Sequence, residues 1–253
     1  MEKIAVITGT SRGLGEAIAS KFLEQTIPVI GVARNENKKL DQLAQKFGTT
    51  YHHVRCDLRD LEDMESALID IFLEINRKQK KCVYLINNAA MIDPIHHSSK
   101  LNHELLAEHV QVNVTAPMVF TNQCLNELNK MDGTLICSMI TSGAAERAIY
   151  GWSAYCSTKA AINMYTKTVG LEQAHLKTNH KIIAFSPGVM DTNMQVEIRS
   201  SSPEQFADIT TFKQYKEEQK LRKPEEIAKA LMQILHAEKE IENGRIYYAR
   251  DYL

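Results

Sequence analysis

The eight residues Thr8-Gly9-Thr10-Ser11-Arg12-Gly13-Leu14-Gly15 decide how this chain is read. They follow a compact β-branched run, Lys3–Thr8 (KIAVIT), and open a helical pattern over residues 13–25. Glycines in such a loop allow a tight turn and let phosphate oxygens approach the main chain closely. The helix start beyond them offers unpaired N–H groups and the positive end of a dipole. A strand, a glycine loop and a helix in that order predict nucleotide binding.

Working outward, the same kind of apolar run recurs at residues 28–33 (PVIGVA), 51–56, 83–87 (VYLIN), 134–138 (TLICS), 181–186 (KIIAFS) and 245–248. Helix-like segments lie between them, at 37–47, 61–77, 105–128, 153–176 and 225–236. Continuous apolar runs belong to strands buried on both faces. Alternation of this kind requires right-handed crossovers. It predicts an α/β fold: a doubly wound parallel sheet with helices on both faces. No linker or repeat interrupts the pattern, so residues 1–253 read as a single domain. Ser202-Pro203-Glu204-Gln205 predicts a capping box with proline at the first helical position. Lys223-Pro224-Glu225-Glu226 marks another helix start. The cations of residues 77–81 (RKQKK) fit a solvated helix C-terminus.

Composition excludes several classes of function. A chain of 253 residues, 44% of them hydrophobic, builds a core without disulfides. Thirty Lys and Arg against thirty-one Asp and Glu leave a net charge of −1, which argues against a nucleic-acid partner. Cysteines at 56, 82, 124, 137 and 156, without a C-x-x-C pair, fit reduced thiols in the cytoplasm. The start MEKIAVITGT lacks the features of a secretory signal. Apolar stretches such as 27–33 fall far short of the ~20 residues of a membrane helix. His52-His53 with Cys56, and His96-His97 with His103, show no complete tetrahedral set at familiar spacing, so no metal is expected. There is no G-x-S-x-G elbow and no interleaving of aromatic with basic residues.

The end of the second strand selects the nucleotide. NAD-type sites carry an acid there that binds the ribose 2′-hydroxyl. This chain has Ala33-Arg34 instead. Arg34 and Arg12 can grip a 2′-phosphate through charge-assisted hydrogen bonds, which predicts NADP(H) as the cofactor.

Tyr155 and Lys159 stand four residues apart in a helical segment, hence on one face. Alone, that spacing is common. Added to the glycine loop, Asn87-Asn88-Ala89-Ala90, Asn113, Ser142 and Pro187-Gly188, it gives an ordered set. With that set the sequence resembles the short-chain dehydrogenase/reductase family over essentially its whole length. The resemblance implies a Rossmann-like fold and an Asn113–Ser142–Tyr155–Lys159 tetrad. It implies pyrophosphate contacts from Gly9, Ser11, Arg12, Gly13, Leu14 and Gly15, and an adenine contact from Asp57. Val189 and Thr192 would hold the nicotinamide amide, Tyr155 and Lys159 would also touch the cofactor, and Ile7 and Asn88 would add contacts. Ser138, Thr141 and Ser142 all carry hydroxyls near the end of the fifth strand, and strand alternation does not choose among them. The family's spacing to the tyrosine selects Ser142.

The chemistry implied is hydride attack on a carbonyl carbon. Tyr155 donates a proton to the oxygen and Ser142 a hydrogen bond. A free phenol titrates near ~10, and bringing it to neutral pH takes about 4 kcal/mol of phenolate stabilisation. Lys159 and an oxidised nicotinamide are the expected sources. Lys159 would also hold the ribose, and Asn113 a water that relays protons.

Within the family, residues 140–145, 151–156, 187–195 and 198–202 resemble bacterial benzil reductases that form (S)-benzoin, and more distantly sepiapterin reductases. That resemblance implies NADPH-dependent reduction of one carbonyl of a vicinal dicarbonyl-type small molecule. Ile149, Tyr150, Trp152, Met190 and Met194 suit an apolar pocket. Asp251 matches the pterin-anchoring acid of sepiapterin reductases. Residues 191–223, polar and charged around Thr210-Thr211-Phe212, read as a mobile substrate-covering lid plus short helices, with an ordinary surface insertion as the alternative. A pterin side-chain reductase and a silent NADP(H)-binding sensor are the competing readings. Family members assemble as homodimers or homotetramers, here through residues 105–128 and 153–176.

Overall fold

A computed structural model describes residues 2–79 and 81–253, so Lys80 of the basic run lies outside the described residues. Seven strands form one sheet: β1 (Lys3–Thr8), β2 (Val29–Ala33), β3 (Tyr51–Arg55), β4 (Cys82–Asn87), β5 (Thr134–Ile140), β6 (Lys181–Ser186) and β7 (Ile246–Tyr248). Their order is β3-β2-β1-β4-β5-β6-β7, and every pair is parallel. The helices are α1 (Gly13–Glu24), α2 (Lys38–Lys46), α3 (Leu61–Arg77), α4 (His103–Val110), α5 (Ala116–Lys130), α6 (Ser153–His175), α7 (Asn193–Ser200), α8 (Ile209–Glu217) and α9 (Pro224–His236).

Alternation along each strand serves two cores at once. Ile4 and Val6 of β1 pack with Ile71 of α3 and Phe120 of α5. Ala5 and Ile7, between them in sequence, pack with Phe22 of α1 and Leu231 of α9. A strand covered on both sides is apolar at consecutive positions, as β1 is from Ile4 to Ile7. β3 departs from this: at the sheet edge, only Val54 of its five residues is buried. Strand order reverses between β1 and β4, and in an open α/β sheet the crevice at that switch point receives the ligand.

Two expectations are corrected. The predicted helix over 105–128 runs without a gap from His103 to Lys130, but its middle, Gln111–Thr115, is a π-turn segment joining α4 to α5. Pro117 sits four residues beyond Asn113 and has no N–H to offer its carbonyl, so the α-register cannot close there. The capping box at Ser202 forms its reciprocal bonds, Ser202 N to Gln205 Oε1 at 2.8 Å and Gln205 N to Ser202 Oγ at 3.3 Å. No helix follows it. The chain turns once, buries Phe206 completely, and starts α8 only at Ile209. Lys223-Pro224 does open a helix, α9, with Glu225 and Glu226 in its first turn.

Candidate active site

The glycine loop leaves β1 at the switch point and enters α1. Arg12, at the N-cap, gives the helix no side-chain cap. Gly13 takes φ +64°, and a Cβ there would meet only the Thr192 methyl, at 3.7 Å. An uncapped helix start with an open main-chain face fits a pyrophosphate. Asn88 shapes the loop from β4: its Nδ2 donates to the Thr8 carbonyl at 2.9 Å, and its main-chain N–H donates to Thr8 Oγ1 at 3.0 Å. Two residues absent from the sequence reading complete the support. Asn37 Nδ2 donates to the carbonyls of Thr10 and Ser11, both at 3.3 Å, and the Tyr51 hydroxyl meets Thr10 Oγ1 at 3.1 Å. Ile7 and Leu14 are buried in the core, with Ile7 fully enclosed.

Ser11, Arg12 and Arg34 are exposed beside this loop. Arg12 Nη2 lies 3.7 Å from Glu197 Oε1 of α7. Asp57 is gripped by Arg59, whose Nη2 and Nε reach its carboxylate at 2.6 and 3.0 Å. That fork, with Arg34 nearby, holds the Asp57 carboxyl below the usual range. Val189 is exposed and Thr192 half-buried, the latter at the N-cap of α7.

The carboxyl ends of β4 and β5 and the first turns of α6 carry the other group. Ser142, two residues beyond β5, accepts from the Ala144 N–H at 3.1 Å, which leaves its own proton free to donate. Its two rivals turn away. Ser138 is sealed in the strand, and the Thr141 hydroxyl donates to Asn163 Oδ1 at 2.6 Å. Lys159 Nζ lies 5.6 Å from the Tyr155 ring centroid and donates to the Ile140 carbonyl at 2.8 Å. Asn113 is buried, and its carboxamide is spent on protein. Its Oδ1 accepts from Met91 N at 2.9 Å, and its Nδ2 donates to Met91 O at 2.8 Å.

An apolar wall stands beside Tyr155. Trp152 stacks on Phe206 (4.8 Å, 14°) and meets Tyr155 and Phe212 edge-on, both at 5.4 Å. Ile92, Ile95, Ile149 and Met194 join it. Residues 191–223, read as a lid with short helices, carry α7 and α8 and also supply Phe206 and Phe212 to a packed aromatic cluster, which periodicity missed because the two belong to different elements. Gly151, at φ +85°, admits this packing: a Cβ there would come within 2.1 Å of the Gln205 carbonyl. Met190 packs on the α1–α9 side instead, and Tyr150 faces solvent. Asp251 is exposed and lies 3.7 Å from Arg250. His96 and His97 meet Glu204 rather than His103, with ligand atoms within 4.8 Å of one another. A concavity of about 390 Å³ adjoins the glycine loop, lined by Gly13 and Thr192 and by charges of both signs, Glu16 and Asp191 with Lys21 and Lys39.

A profile of the short chain dehydrogenase family matches residues 3–203. The chain belongs to the short-chain dehydrogenase family. Two bacterial relatives are named benzil reductase ((S)-benzoin forming). That of Bacillus cereus is 39% identical over 93% of this chain and 95% of its own. That of Bacillus subtilis is also 39% identical, over 99% and 100%. A solved short-chain dehydrogenase/reductase from Saccharomyces cerevisiae superposes with a TM-score of 0.83, at 25% identity and 99% coverage of both chains. This short-chain dehydrogenase is therefore an oxidoreductase that uses a nicotinamide cofactor and acts on a small molecule. Among its described residues, no helix is long and apolar enough to cross a membrane.

Burial dominates the electrostatics of the two site residues on α6 of this short-chain dehydrogenase. In the protein alone, burial pushes the Tyr155 phenol up to about 12, while hydrogen bonding to Ser142 opposes the rise. The reason is geometric. Lys159 gives its ammonium to a carbonyl rather than to the phenol, and the dry setting penalises phenolate. Burial also pushes Lys159 down to about 8 from an ordinary 10.5. Between those pH values the unfolded chain binds more protons than the folded one, so folding gains stability as pH rises from 8 to 10.5. Below 8 the cost of burying the cation is fully present. Over that window the wild type should gain on the order of 3 kcal/mol relative to Lys159→Met in denaturant unfolding. A difference between the two proteins that stays flat with pH would contradict this.

Proposed function

We propose that this short-chain dehydrogenase is an NADPH-dependent reductase that converts one carbonyl of a vicinal dicarbonyl, such as benzil, to a hydroxy ketone. The observation that carries the reading is the company of the Tyr155 phenol. Ser142 and Lys159 lie at its polar side, and Trp152, Phe206 and Phe212 form an aromatic wall beside it. Flat aryl groups suit such a wall. The names of the two Bacillus relatives point the same way.

The cofactor, when bound, supplies the hydride and, in its oxidised form, a positive charge. Tyr155 keeps its proton at neutral pH and delivers it to the substrate oxygen as negative charge builds there. Ser142 donates a hydrogen bond to the same oxygen. Lys159 holds the ribose hydroxyls. Because the Asn113 carboxamide is engaged by protein, the water of the proton relay would rest on the main chain of the π-turn segment. Arg34 and Arg12 hold the 2′-phosphate, Asp57 meets the adenine edge, and Val189 and Thr192 meet the nicotinamide amide. Residues 191–223 cover the substrate within one domain spanning the chain. Met164 and Leu171, exposed on α6, support assembly as a homodimer or homotetramer, and unpaired cysteines support a cytoplasmic setting. Asp251, exposed and paired with Arg250, lends no support to pterin anchoring.

The test is NADPH oxidation over a panel of vicinal diketones, simple ketones, quinones and a pterin, with chiral analysis of the alcohol. Benzil should exceed simple ketones by about tenfold or more in kcat/KM. Faster turnover of the pterin, or cofactor binding without any turnover, would overturn the reading.

A further inference from the structure

His109 closes the last turn of α4, is wholly enclosed, and has no part in the reading above. Its Nδ1 lies 2.6 Å from the main-chain carbonyl of Asp93, which can only accept, so Nδ1 carries the proton. Its Nε2 lies 2.9 Å from Asn113 Nδ2, whose orientation Met91 dictates, so Nε2 presents its lone pair to that donor. The same Nε2 lies 3.1 Å from Thr158 Oγ1, in the turn of α6 that links Tyr155 to Lys159. Thr158 Oγ1 in turn lies 3.0 and 3.1 Å from the carbonyls of Ala154 and Tyr155. The ring also stands edge-on to Tyr155, with centroids 6.2 Å apart. One neutral imidazole therefore touches the loop after β4, the π-turn segment and the catalytic turn of α6.

We propose that His109 is a positioning residue, whose neutral Nδ1–H form keys Asn113 to Thr158 and so holds Tyr155 and Lys159 in register. The proposal rests on the reading of that pair as catalytic. With its own proton turned to the carbonyls, Thr158 Oγ1 could accept a proton on Nε2, but that proton would still crowd the Asn113 amide 2.9 Å away, donor against donor, and Asn113 could turn only by giving up both bonds to Met91. Protonation therefore unlocks the site. The charged and titratable groups facing the ring are Lys159 and the Tyr155 phenol from α6, and Asp93 from the loop after β4. Burial and the Lys159 charge outweigh the Asp93 contributions and hold His109 below its ordinary value, so the lock persists through neutral pH.

The test follows benzil reduction with NADPH in the wild type, His109→Leu and His109→Gln. Glutamine can donate to the Asp93 carbonyl and accept from Asn113, but it does not titrate. His109→Leu should lose about tenfold to thirtyfold in kcat, with KM for NADPH within about twofold. His109→Gln should recover to within about threefold of wild type and lack the acid limb that wild type shows below the ordinary histidine value of ~6.5. In parallel, 15N NMR of the wild-type imidazole should report the Nδ1–H tautomer at neutral pH, which holds even if the leucine variant does not fold. Full activity of His109→Leu, an unchanged acid limb in His109→Gln, or an Nε2–H tautomer would overturn the proposal in an enzyme that works. A wild type that reduces no carbonyl would sink the functional reading first, and this one with it.

Discussion

A Tyr155→Phe enzyme should lose at least about 10³-fold in kcat for benzil reduction while binding NADPH within about twofold of wild type. Phenylalanine keeps the ring that Trp152 and His109 pack against, so the fold and the apolar wall stay in place. What disappears is one oxygen and its proton, in a pocket where burial holds that proton up to about 12. Ser142 cannot replace it. A serine hydroxyl is a far weaker acid, and its other role is to the Ala144 N–H. Water cannot replace it efficiently either, since the phenol is enclosed by its neighbours. Stopped-flow hydride transfer and cofactor titration separate the two effects. Full-rate turnover by the phenylalanine variant would remove the proposed mechanism.

Arg34→Asp should weaken NADPH binding by about tenfold to a hundredfold and leave NADH binding unchanged or tighter. A charge-assisted hydrogen bond from Arg to a phosphate contributes about 1.5–3 kcal/mol, and each 1.4 kcal/mol is tenfold in affinity. The new carboxylate would also repel the 2′-phosphate and offer the ribose 2′-hydroxyl an acceptor. Arg12 is the second cation at this corner, and Glu197 draws on it at 3.7 Å, so Arg34 should carry the larger share. Fluorescence titration of both cofactors reads the result. NADPH affinity within twofold of wild type would show that the pair does not select the phosphate.

The fold was legible because its causes are local. KIAVIT must be a doubly covered strand, glycines must turn, and Lys223-Pro224-Glu225-Glu226 must start a helix. Where local rules met a distant partner they failed. The Ser202 box made its bonds without seeding a helix, because Phe206 is drawn into the cluster around Trp152. The π-turn at Gln111–Thr115 was readable from Pro117, but its use was not. His109 and Asn113 acquire meaning only when Met91, Asp93 and Thr158 arrive from other segments. Asn37 and Tyr51, which brace the glycine loop, were silent for the same reason.

By itself, then, the sequence determined the α/β architecture, the glycine loop between β1 and α1, and the helical spacing of Tyr155 and Lys159. The first is written in a repeating local pattern, and the others in short motifs, each read without knowing what packs against it. Only the tertiary structure decided which hydroxyl near the end of β5 is free, that burial raises the phenol, and that a buried imidazole ties the site together. Those outcomes depend on solvent exclusion and on hydrogen-bond partners 16 to 49 residues apart, separations that no periodicity records.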